Sequence, residues 1–366
     1  MYKTTLLTVL SFALMTSLTG VSCSYAQEGN PKEPDTPLSA AARTEVIDGI
    51  LKQLNSNYVF PETAKKMETS IRKRVQNGEY EKINSSRQFA QMLTTHLQEV
   101  SHDKHLRVRY SSETLPVQTG HEAPSAEEQE RQMQFLRAVN FGFEKLERLP
   151  GNVGYIDMRM FASPDVAGPT CAAAMSFLAD TDALILDLRQ NGGGDPAMVA
   201  LVCSYLFSGE QVHLNDLYFR PSDSTQQFWT LPYLPGKRYV NKEVYVLTSH
   251  NTFSGAEECT YNLKNLKRAT IIGETTGGGA HPGGFQRITD HIGAFIPVGR
   301  AINPITKTNW EGTGVKPDVE APAEKALKIA HLSALKKIVP KVTDAQRRER
   351  IQQLIADTEK ELEAKK

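Results

Sequence analysis

Two short, unbroken apolar runs place the strongest constraint on the fold of this chain. They occupy residues 183–186 and 244–247. Unbroken runs of this length are typical of strands that are covered on both faces. Another strand is predicted over residues 153–158, and residues 171–178 and 198–207 are predicted to form covering helices. The alternation predicts an α/β layer with a mostly parallel or mixed sheet.

Three amphipathic helices are predicted ahead of this layer. Apolar residues recur at helical spacing within residues 47–58, 67–75 and 89–100. The second stripe stops at Asn77-Gly78, a suitable C-terminal cap. The third begins with Ser85 and Gln88, a capping-box pair. We expect an N-terminal three-helix bundle over residues 38–104; helices that only cover the next domain are the alternative.

The remaining segments are assigned by period and polarity. Apolar and polar residues alternate over 106–110, which indicates a strand with one solvent-exposed face. Residues 111–149 are polar and are interpreted as a linker segment with an exposed helix. The core domain is therefore predicted over residues 105–322. Two helices are predicted near 323–337 and 343–364, within a C-terminal segment 323–366.

The first 26 residues have the pattern of a secretory signal peptide. Lys3 is their only charge, and residues 6–18 form an apolar run too short for a stable membrane span. Ser24 and Ala26 are small residues in the positions that precede a cleavage site. We predict cleavage after Ala26, a flexible leader over 27–37, and export to the periplasm or medium; lipidation at Cys23, giving an outer-membrane lipoprotein, is the alternative.

Charge and cysteine content exclude several classes of protein. The 366 residues include 42 basic and 42 acidic ones, so the formal net charge is zero. A general nucleic-acid binder would be basic over a whole domain. The four cysteines show no CxxC spacing, so neither a structural zinc site nor a disulfide framework is predicted.

Three segments at predicted strand ends carry residues suited to chemistry. Residues 187–194 (DLRQNGGG) follow a buried strand, and their glycines leave backbone amides open to an oxygen atom. Their spacing is not that of a nucleotide-binding loop. A flexible turn is the simpler interpretation of this segment alone.

The second segment places Ser254 between a buried strand and a predicted helix. A hydroxyl there lies at the positive end of the helix beside free amides, which suits a nucleophile. Ser254 and Glu257 also match a capping box. On this segment alone, helix capping is the favoured interpretation.

The third segment, residues 101–105, contains two histidines beside an aspartate. His102 and His105 could bind a metal ion or lie at the surface, or His105 could act as a general base for Ser254. Because triads are assembled by folding, distance along the chain is no objection to the last interpretation.

Four motifs in the same order resemble the tail-specific serine peptidases. They are residues 187–194 (DLRQNGGG), 252–257 (TFSGAE), 273–276 (GETT) and 312–318 (GTGVKPD). This family includes C-terminal processing peptidases, the tricorn core and interphotoreceptor retinoid-binding protein repeats. The resemblance covers about residues 45–322 and implies a crotonase-like ββα core.

Departures from the family pattern indicate the branch. The processing peptidases use a lysine base, and Gly279 stands where that lysine is expected. The tricorn branch uses a histidine with a glutamate, and His105 and Glu311 match those positions. The helical leader resembles the retinoid-binding-protein-like members, and the short stretch after His105 implies that a PDZ domain is absent. Lys104 replaces the serine that precedes the histidine in tricorn-type members, which puts the full tetrad in question.

The resemblance implies a role for each matched residue. Ser254 would be the nucleophile, His105 the general base and Glu311 the group that fixes the histidine tautomer, while the amides of Gly255 and Gly193 would form the oxyanion hole. The implied activity is hydrolysis of a peptide or protein substrate, without a metal or organic cofactor.

Two other functions stay open at this level. Retinoid-binding relatives imply that the same fold can serve as a non-catalytic or weakly catalytic binding protein for an apolar ligand. A metal-dependent hydrolase using His102, His105 and His281 lacks a recognisable ligand motif.

Overall fold

The structure is a computed structural model that describes residues 34–117 and 125–364. The predicted signal peptide, Cys23 and most of the predicted leader lie outside these residues. In the part that is described, no helix combines the length and the apolar character needed to cross a lipid bilayer.

The three predicted N-terminal helices are present. They are α1 (Ala40–Asn57), α2 (Pro61–Gln76) and α3 (Ser86–Ser101). The hydroxyl of Ser39 accepts a hydrogen bond from the amide of Ala42 at the start of α1. Ser85 caps α3 by accepting from the amide of Gln88, as the sequence predicts. Side-chain capping therefore fixes where α1 and α3 begin.

The N-terminal helices pack against one another, α1 on α2 and α2 on α3, and their layer also includes a sheet. They pack on a three-stranded antiparallel sheet with the order β1-β10-β9, made of β1 (Arg107–Tyr110), β9 (Gly283–Arg287) and β10 (Ile292–Pro297). One apolar cluster joins Leu54 and Leu97 of the helices to Ile292 and Ile296 of β10. This layer is thus completed by strands from the C-terminal half of the chain.

The centre of the protein is a six-stranded mixed sheet with the order β12-β8-β7-β4-β3-β2. Its strands are β2 (Phe143–Leu149), β3 (Val153–Met158), β4 (Ala183–Asp187), β7 (Glu243–Thr248), β8 (Thr270–Gly273) and β12 (Val319–Glu320). All neighbouring pairs are parallel except β2 and β3. The predicted α/β fold is therefore confirmed.

Both faces of this sheet are covered, as the apolar runs predict. Leu184 and Leu186 of β4 lie in one apolar cluster with the helices α5 (Pro164–Leu178), α6 (Pro196–Leu206) and α7 (Gly255–Asn265). Ala183 and Ile185 lie in another, with α8 (Ala323–Ile338) and Ile351 of α9 (Ala345–Glu363). The alternation of side chains along each strand explains why every position in the run is apolar.

The sequence-based interpretation of residues 111–149 is only partly right. The exposed helix is present as α4 (Ala126–Ala138), with a complete capping box at Ser125 and Glu128. However, β2 lies within the predicted linker and forms an edge of the central sheet. Its outward residues are largely exposed, so its composition resembles that of a loop. A separate antiparallel sheet also forms, with the order β11-β5-β6, from β5 (His213–Phe219), β6 (Ser224–Trp229) and β11 (Gly299–Ile302).

Two loops at one end of the central sheet carry the candidate site residues. The parallel strands β4 and β7 end side by side, with Asp187 paired to Leu247. The glycine-rich loop leaves β4, and the segment that leads to Ser254 leaves β7. Because parallel strands place their C-terminal ends at the same edge, these two segments meet there.

Candidate active site

Ser254 lies at a sharp turn immediately before α7. Its backbone angles are φ 54° and ψ −121°, a conformation that residues with a β-carbon rarely adopt. Neighbouring bonds hold the turn in place: the amide of Phe253 donates to the carbonyl of Asn191, and the hydroxyl of Thr252 donates to the carbonyl of Leu188. The structure thus places a strained serine at the positive end of a helix.

Glu257 ties this turn to the segment 276–279. One oxygen of its buried carboxylate accepts from the amides of Ser254 (2.9 Å) and Gly279 (2.8 Å). The other accepts from the amide of Gly278 and the hydroxyl of Thr276. Burial raises the pKa of Glu257 to about 7, against the lowering effect of these donors. Glu257 therefore forms the capping hydrogen bond that the sequence predicts and also holds a second loop beside Ser254.

The glycine-rich loop packs directly on Ser254. A β-carbon built on Gly193 would lie 2.8 Å from both the Cβ of Ser254 and the amide nitrogen of Gly255, so only glycine fits there. The amide of Gly193, predicted as an oxyanion donor, donates instead to Oδ1 of Asn191 at 2.8 Å. Within the described residues, the amides of Gly194 and Gly255 have no acceptor. These two amides are the free donors beside the serine.

The ring of His105 packs against Phe253, the residue that precedes Ser254. Their ring centroids are 4.6 Å apart, and Phe295 of β10 stacks on the histidine at 5.9 Å. Nδ1 of His105 is buried without a hydrogen-bond partner. Burial, together with the charges of His281 and Arg107, lowers the pKa of His105 to about 4, against the raising effect of Asp103. The ring is therefore neutral at pH 7. No hydrogen bond joins it to Ser254.

Because Gly279 has no side chain, it leaves room for the ring of His105. A β-carbon at position 279 would lie 2.6 Å from Cε1 of His105 and 2.3 Å from Cζ of Phe253. Any side chain there would overlap the histidine. The glycine that stands where the processing peptidases have lysine is thus a steric requirement for the ring of His105 in this structure.

Glu311 lies beside His281 and not against the ring of His105. One of its oxygens accepts from the amide of Ala280 and lies 3.4 Å from Nδ1 of His281. Nδ1 of His281 also lies 2.7 Å from Oδ2 of Asp103, which accepts from the hydroxyl of Tyr58 at 3.1 Å. The predicted glutamate therefore contacts His281, and Nδ1 of His105 has no hydrogen bond to it.

Asp103 is the acidic residue bonded to the His105 segment. Its Oδ1 accepts from the backbone amide of His105 at 3.0 Å, and its side chain is completely buried. Burial pushes the pKa of Asp103 up, but the hydrogen bond and charge of His281 hold it below its ordinary value. Burial and the charge of Asp103 raise the pKa of Glu311 to about 7.

Other sequence-predicted residues lie in different places. His102 ends α3 in a left-handed conformation and is exposed, away from the cluster that His281 forms. Lys104, in the position of the expected serine, donates to the carbonyl of Gly277. The metal set of His102, His105 and His281 is not assembled in this structure. Among the residues that the structure describes, three groups have ligand atoms within 4.8 Å of one another, and they are Asp103, His281 and Glu311.

In the sequence-based interpretation, Asp103 has no role of its own, His281 appears only in the metal-dependent alternative and Glu257 is only a helix cap. Asp103 stands two residues before His105, and His281 two residues after Gly279. Their short spacing from motif residues was the available signal. Their contact with each other joins segments 178 residues apart and has no local signature.

Comparison with protein-family models gives two adjacent matches. Residues 152–321 match Peptidase family S41, and residues 39–144 match the N-terminal domain of that peptidase family in eukaryotic IRBP. The second match covers the helical layer and the segment that carries His105.

Known proteins give similar results. The chain is 25% identical over 192 residues to the chloroplastic carboxyl-terminal-processing peptidase 1 of Arabidopsis thaliana, covering 52% of this chain and 37% of the relative. The chain therefore spans well under half the length of the curated relative that it matches.

Solved structures share the fold. A putative peptidase from Parabacteroides merdae matches with a TM-score of 0.52 and 16% identity, covering 78% of this chain and 92% of that one. The tricorn protease matches with a TM-score of 0.51 and 14% identity, covering 87% of this chain and 37% of that one. The overall fold is therefore similar to that of these two proteins.

Proposed function

Because the chain belongs to the tail-specific serine peptidase family, we propose that it hydrolyses peptide bonds through an acyl-enzyme formed on Ser254. The observation that carries this proposal is the strained turn at Ser254, with the free amides of Gly194 and Gly255 beside it. A serine at a helix N-terminus with unpaired amides is suited to an oxyanion intermediate. Helix capping by Glu257 accompanies this role and does not compete with it.

We assign His105 as the general base. In the first step, Oγ of Ser254 attacks the peptide carbonyl and its proton passes to neutral His105. His105 then gives that proton to the leaving amine. Water attacks the acyl-enzyme, its proton passes to His105, and the carboxylic acid leaves as Ser254 regains a proton. The low pKa of His105 keeps the ring neutral before attack. For the proton transfer the ring of His105 must lie within hydrogen-bond distance of Oγ of Ser254.

The oxyanion would be held by Gly255 and the glycine-rich loop. The sequence-based assignment names Gly193, whose amide is bonded to Asn191. The free amide of Gly194 supports a modified assignment, in which Gly194 and Gly255 are the donors and Asn191 sets the loop conformation. Glu311 keeps a supporting role, in which it orients His281 and Asp103 behind the histidine.

A fluorophosphonate probe tests the nucleophile. The purified protein is expected to be labelled at one serine, and peptide mapping should identify Ser254. Ser254→Ala should abolish labelling, whereas Ser249→Ala, five residues earlier, should keep the label on Ser254. Labelling that survives Ser254→Ala would refute the assignment. Absence of labelling together with stoichiometric retinol binding would favour the apolar-ligand alternative.

The base is tested separately. His105→Ala should slow labelling by about 10²- to 10⁴-fold, the contribution typical of a general base. His102→Ala is the matched control, because that histidine is exposed at the end of α3. An unchanged rate in His105→Ala, with a native circular dichroism spectrum, would remove His105 from the mechanism.

We also propose that the protein is exported. The sequence pattern of residues 1–26 supports this, and the experiment is mass spectrometry of the mature N-terminus in a secreting host. A chain that begins at Gln27 is expected. A diacylglyceryl group on Cys23 would establish the lipoprotein alternative, and an intact Met1 in the cytosol would contradict export.

A further inference from the structure

Asp103, His281 and Glu311 form a compact group of potential metal ligands behind the candidate base. One ligand atom from each lies within 4.8 Å of the other two. Asp103 is 0% exposed and His281 is 5% exposed. Among the described residues, His281 is the ion-pair partner of both carboxylates. Two carboxylates thus share one imidazole in a place with little water.

The distances in this group approach those of a tetrahedral ion. With bonds of about 2.0–2.1 Å, ligand atoms around such an ion lie about 3.3 Å apart. Nδ1 of His281 is 3.4 Å from Oε2 of Glu311 and 2.7 Å from Oδ2 of Asp103. The ion would fit if the distance between Nδ1 of His281 and Oδ2 of Asp103 increased by about 0.6 Å.

A separate observation points to a missing partner. Oε1 of Glu311 is buried and has no hydrogen-bond donor. Buried carboxylate oxygens are normally satisfied, so this atom needs a proton, a water molecule or a cation. The hydroxyl of Tyr58 on Asp103 and the amide of Ala280 on Glu311 orient the two acids, as outer groups do around metal ligands.

An open cavity gives access to the group. It has a volume of about 390 Å³, and both His281 and Glu311 line it, together with Phe60 and Asn309. Arg300 and Lys307 lie at the same cavity and are exposed, so salt screens their repulsion of an entering cation. A hydrated ion can therefore reach the two residues without unfolding the core.

We propose that Asp103, His281 and Glu311 bind one divalent transition-metal ion, with zinc preferred, and that the bound ion inhibits the enzyme. One imidazole with two carboxylates suits zinc or manganese, whereas calcium and magnesium prefer oxygen ligands alone. The ion replaces the proton between Nδ1 of His281 and Asp103. Inhibition follows because Asp103 also holds the backbone of His105; this half of the inference rests on the proposed function.

Calorimetry of the chelator-treated full chain tests binding without any substrate. Zinc chloride should bind with one equivalent per chain, and more tightly than manganese chloride. Cobalt chloride should give visible absorption bands of a four-coordinate nitrogen and oxygen site. No saturable zinc binding and no such bands would mean that the three groups share protons only, which overturns the inference.

Variants locate the site. Glu311→Gln and His281→Ala should each weaken zinc binding by more than about 100-fold, and Tyr58→Phe by about 10-fold, within the range for outer groups. His213→Ala is the matched control, because His213 pairs with Asp216 at 2.7 Å and none of the described residues joins that pair as a third ligand. Equal zinc binding by His281→Ala and the unsubstituted chain would also overturn the inference. The cobalt spectrum of the unsubstituted chain decides the matter if the variants do not fold.

Probe labelling separates this inference from the proposed function. Stoichiometric zinc should slow fluorophosphonate labelling of Ser254 at least about tenfold, and a chelator should restore the rate. Labelling of Ser254 without zinc binding would refute the metal site alone. Zinc binding without labelling in the zinc-free chain would refute the peptidase proposal alone, and zinc binding that leaves labelling unchanged would refute the inhibition.

Discussion

Gly279 and His105 occupy adjoining space so closely that a β-carbon on Gly279 would lie 2.6 Å from Cε1 of the histidine. The same β-carbon would lie 2.3 Å from the ring of Phe253. At this position the sequence departs from the processing-peptidase branch of the family, in which a lysine base is expected. A lysine side chain and the ring of His105 would overlap here, so this arrangement accommodates one candidate base at a time.

Gly279→Ala should therefore misplace His105. A displacement of about 1 Å at a catalytic group can lower the rate about 10²-fold, so fluorophosphonate labelling should slow by about 10- to 100-fold. The rate of labelling under pseudo-first-order conditions is the measurement. Gly209→Ala is the control, because a β-carbon there meets no atom within 4 Å. A Gly279→Ala protein that labels at the normal rate would contradict the steric argument.

Ser254→Gly should stabilise the protein although it removes the proposed nucleophile. The serine is held at φ 54° and ψ −121°, a strain of order 1–3 kcal/mol that glycine relieves. Allowing for the larger entropy of the unfolded glycine chain, we expect a gain of about 1 kcal/mol in the free energy of unfolding.

Urea denaturation measures this gain. Ser208→Gly is the matched substitution, because Ser208 is exposed and its backbone φ is not positive. The free energy of unfolding of this variant should fall by a few tenths of a kcal/mol to about 1 kcal/mol, because glycine raises the conformational entropy of the unfolded chain. A Ser254→Gly protein that is less stable than the original chain would show that the serine conformation is not strained.

Glu258 should make the protein less stable as the pH rises. Burial raises its pKa to about 8, against the lowering effect of Asn215, and Oε1 of Glu258 has no partner. The folded state thus binds a proton that the unfolded state releases near pH 4.5, so stability falls between about pH 4.5 and pH 8. Each pH unit in that window costs about 1.4 kcal/mol per proton.

Glu258→Gln should flatten this dependence. Thermal unfolding between pH 5 and pH 8.5 should show a smaller decline for the variant than for the unsubstituted chain. Glu127→Gln, at an exposed position in the first turn of α4, is the control and should keep the original slope. Parallel curves for Glu258→Gln and the original chain would contradict the assignment.

Asn191→Ala should disturb the glycine-rich loop. The completely buried Asn191 accepts from the amide of Gly193 and donates to the carbonyl of Met158. Removal leaves two buried groups unsatisfied, at a cost of about 2 kcal/mol or more. Labelling of Ser254 should also slow at least about tenfold, because the loop shapes the proposed oxyanion site.

The two effects of Asn191→Ala are measured by urea denaturation and by the probe. Asn251→Ala, at an exposed position near Ser254, should change neither quantity appreciably. Unchanged stability in Asn191→Ala would show that the loop does not depend on this side chain.

Local patterns in the sequence predicted much of the fold. Ser85 caps α3 where the sequence placed a capping pair, and both faces of β4 are covered as its unbroken apolar run indicated. These features depend on groups within a few residues of one another. In contrast, β2 has a largely exposed, polar composition, so its pairing with β3 gave no period-two signal strong enough to separate it from a loop.

The candidate site divides in the same way. The sequence motifs singled out Ser254, Gly255, Gly193, His105 and Glu311 as candidates, and their catalytic roles stay predictions. The structure adds that the amide of Gly193 is engaged by Asn191 and that Glu311 contacts His281. Such contacts depend on which loops face each other after folding, and motif order contains no distances.

The sequence by itself determined the elements whose hydrogen bonds and apolar faces are local: the capped helices, the buried parallel strands and the glycine-rich turn. Tertiary structure alone decided that β1 pairs with β10, and so joins the N-terminal helices to residues 283–297. It also decided that Asp103 meets His281, 178 residues away, behind His105. The physical reason is that β-pairing and buried polar contacts gain their free energy between distant segments, which neither segment encodes alone.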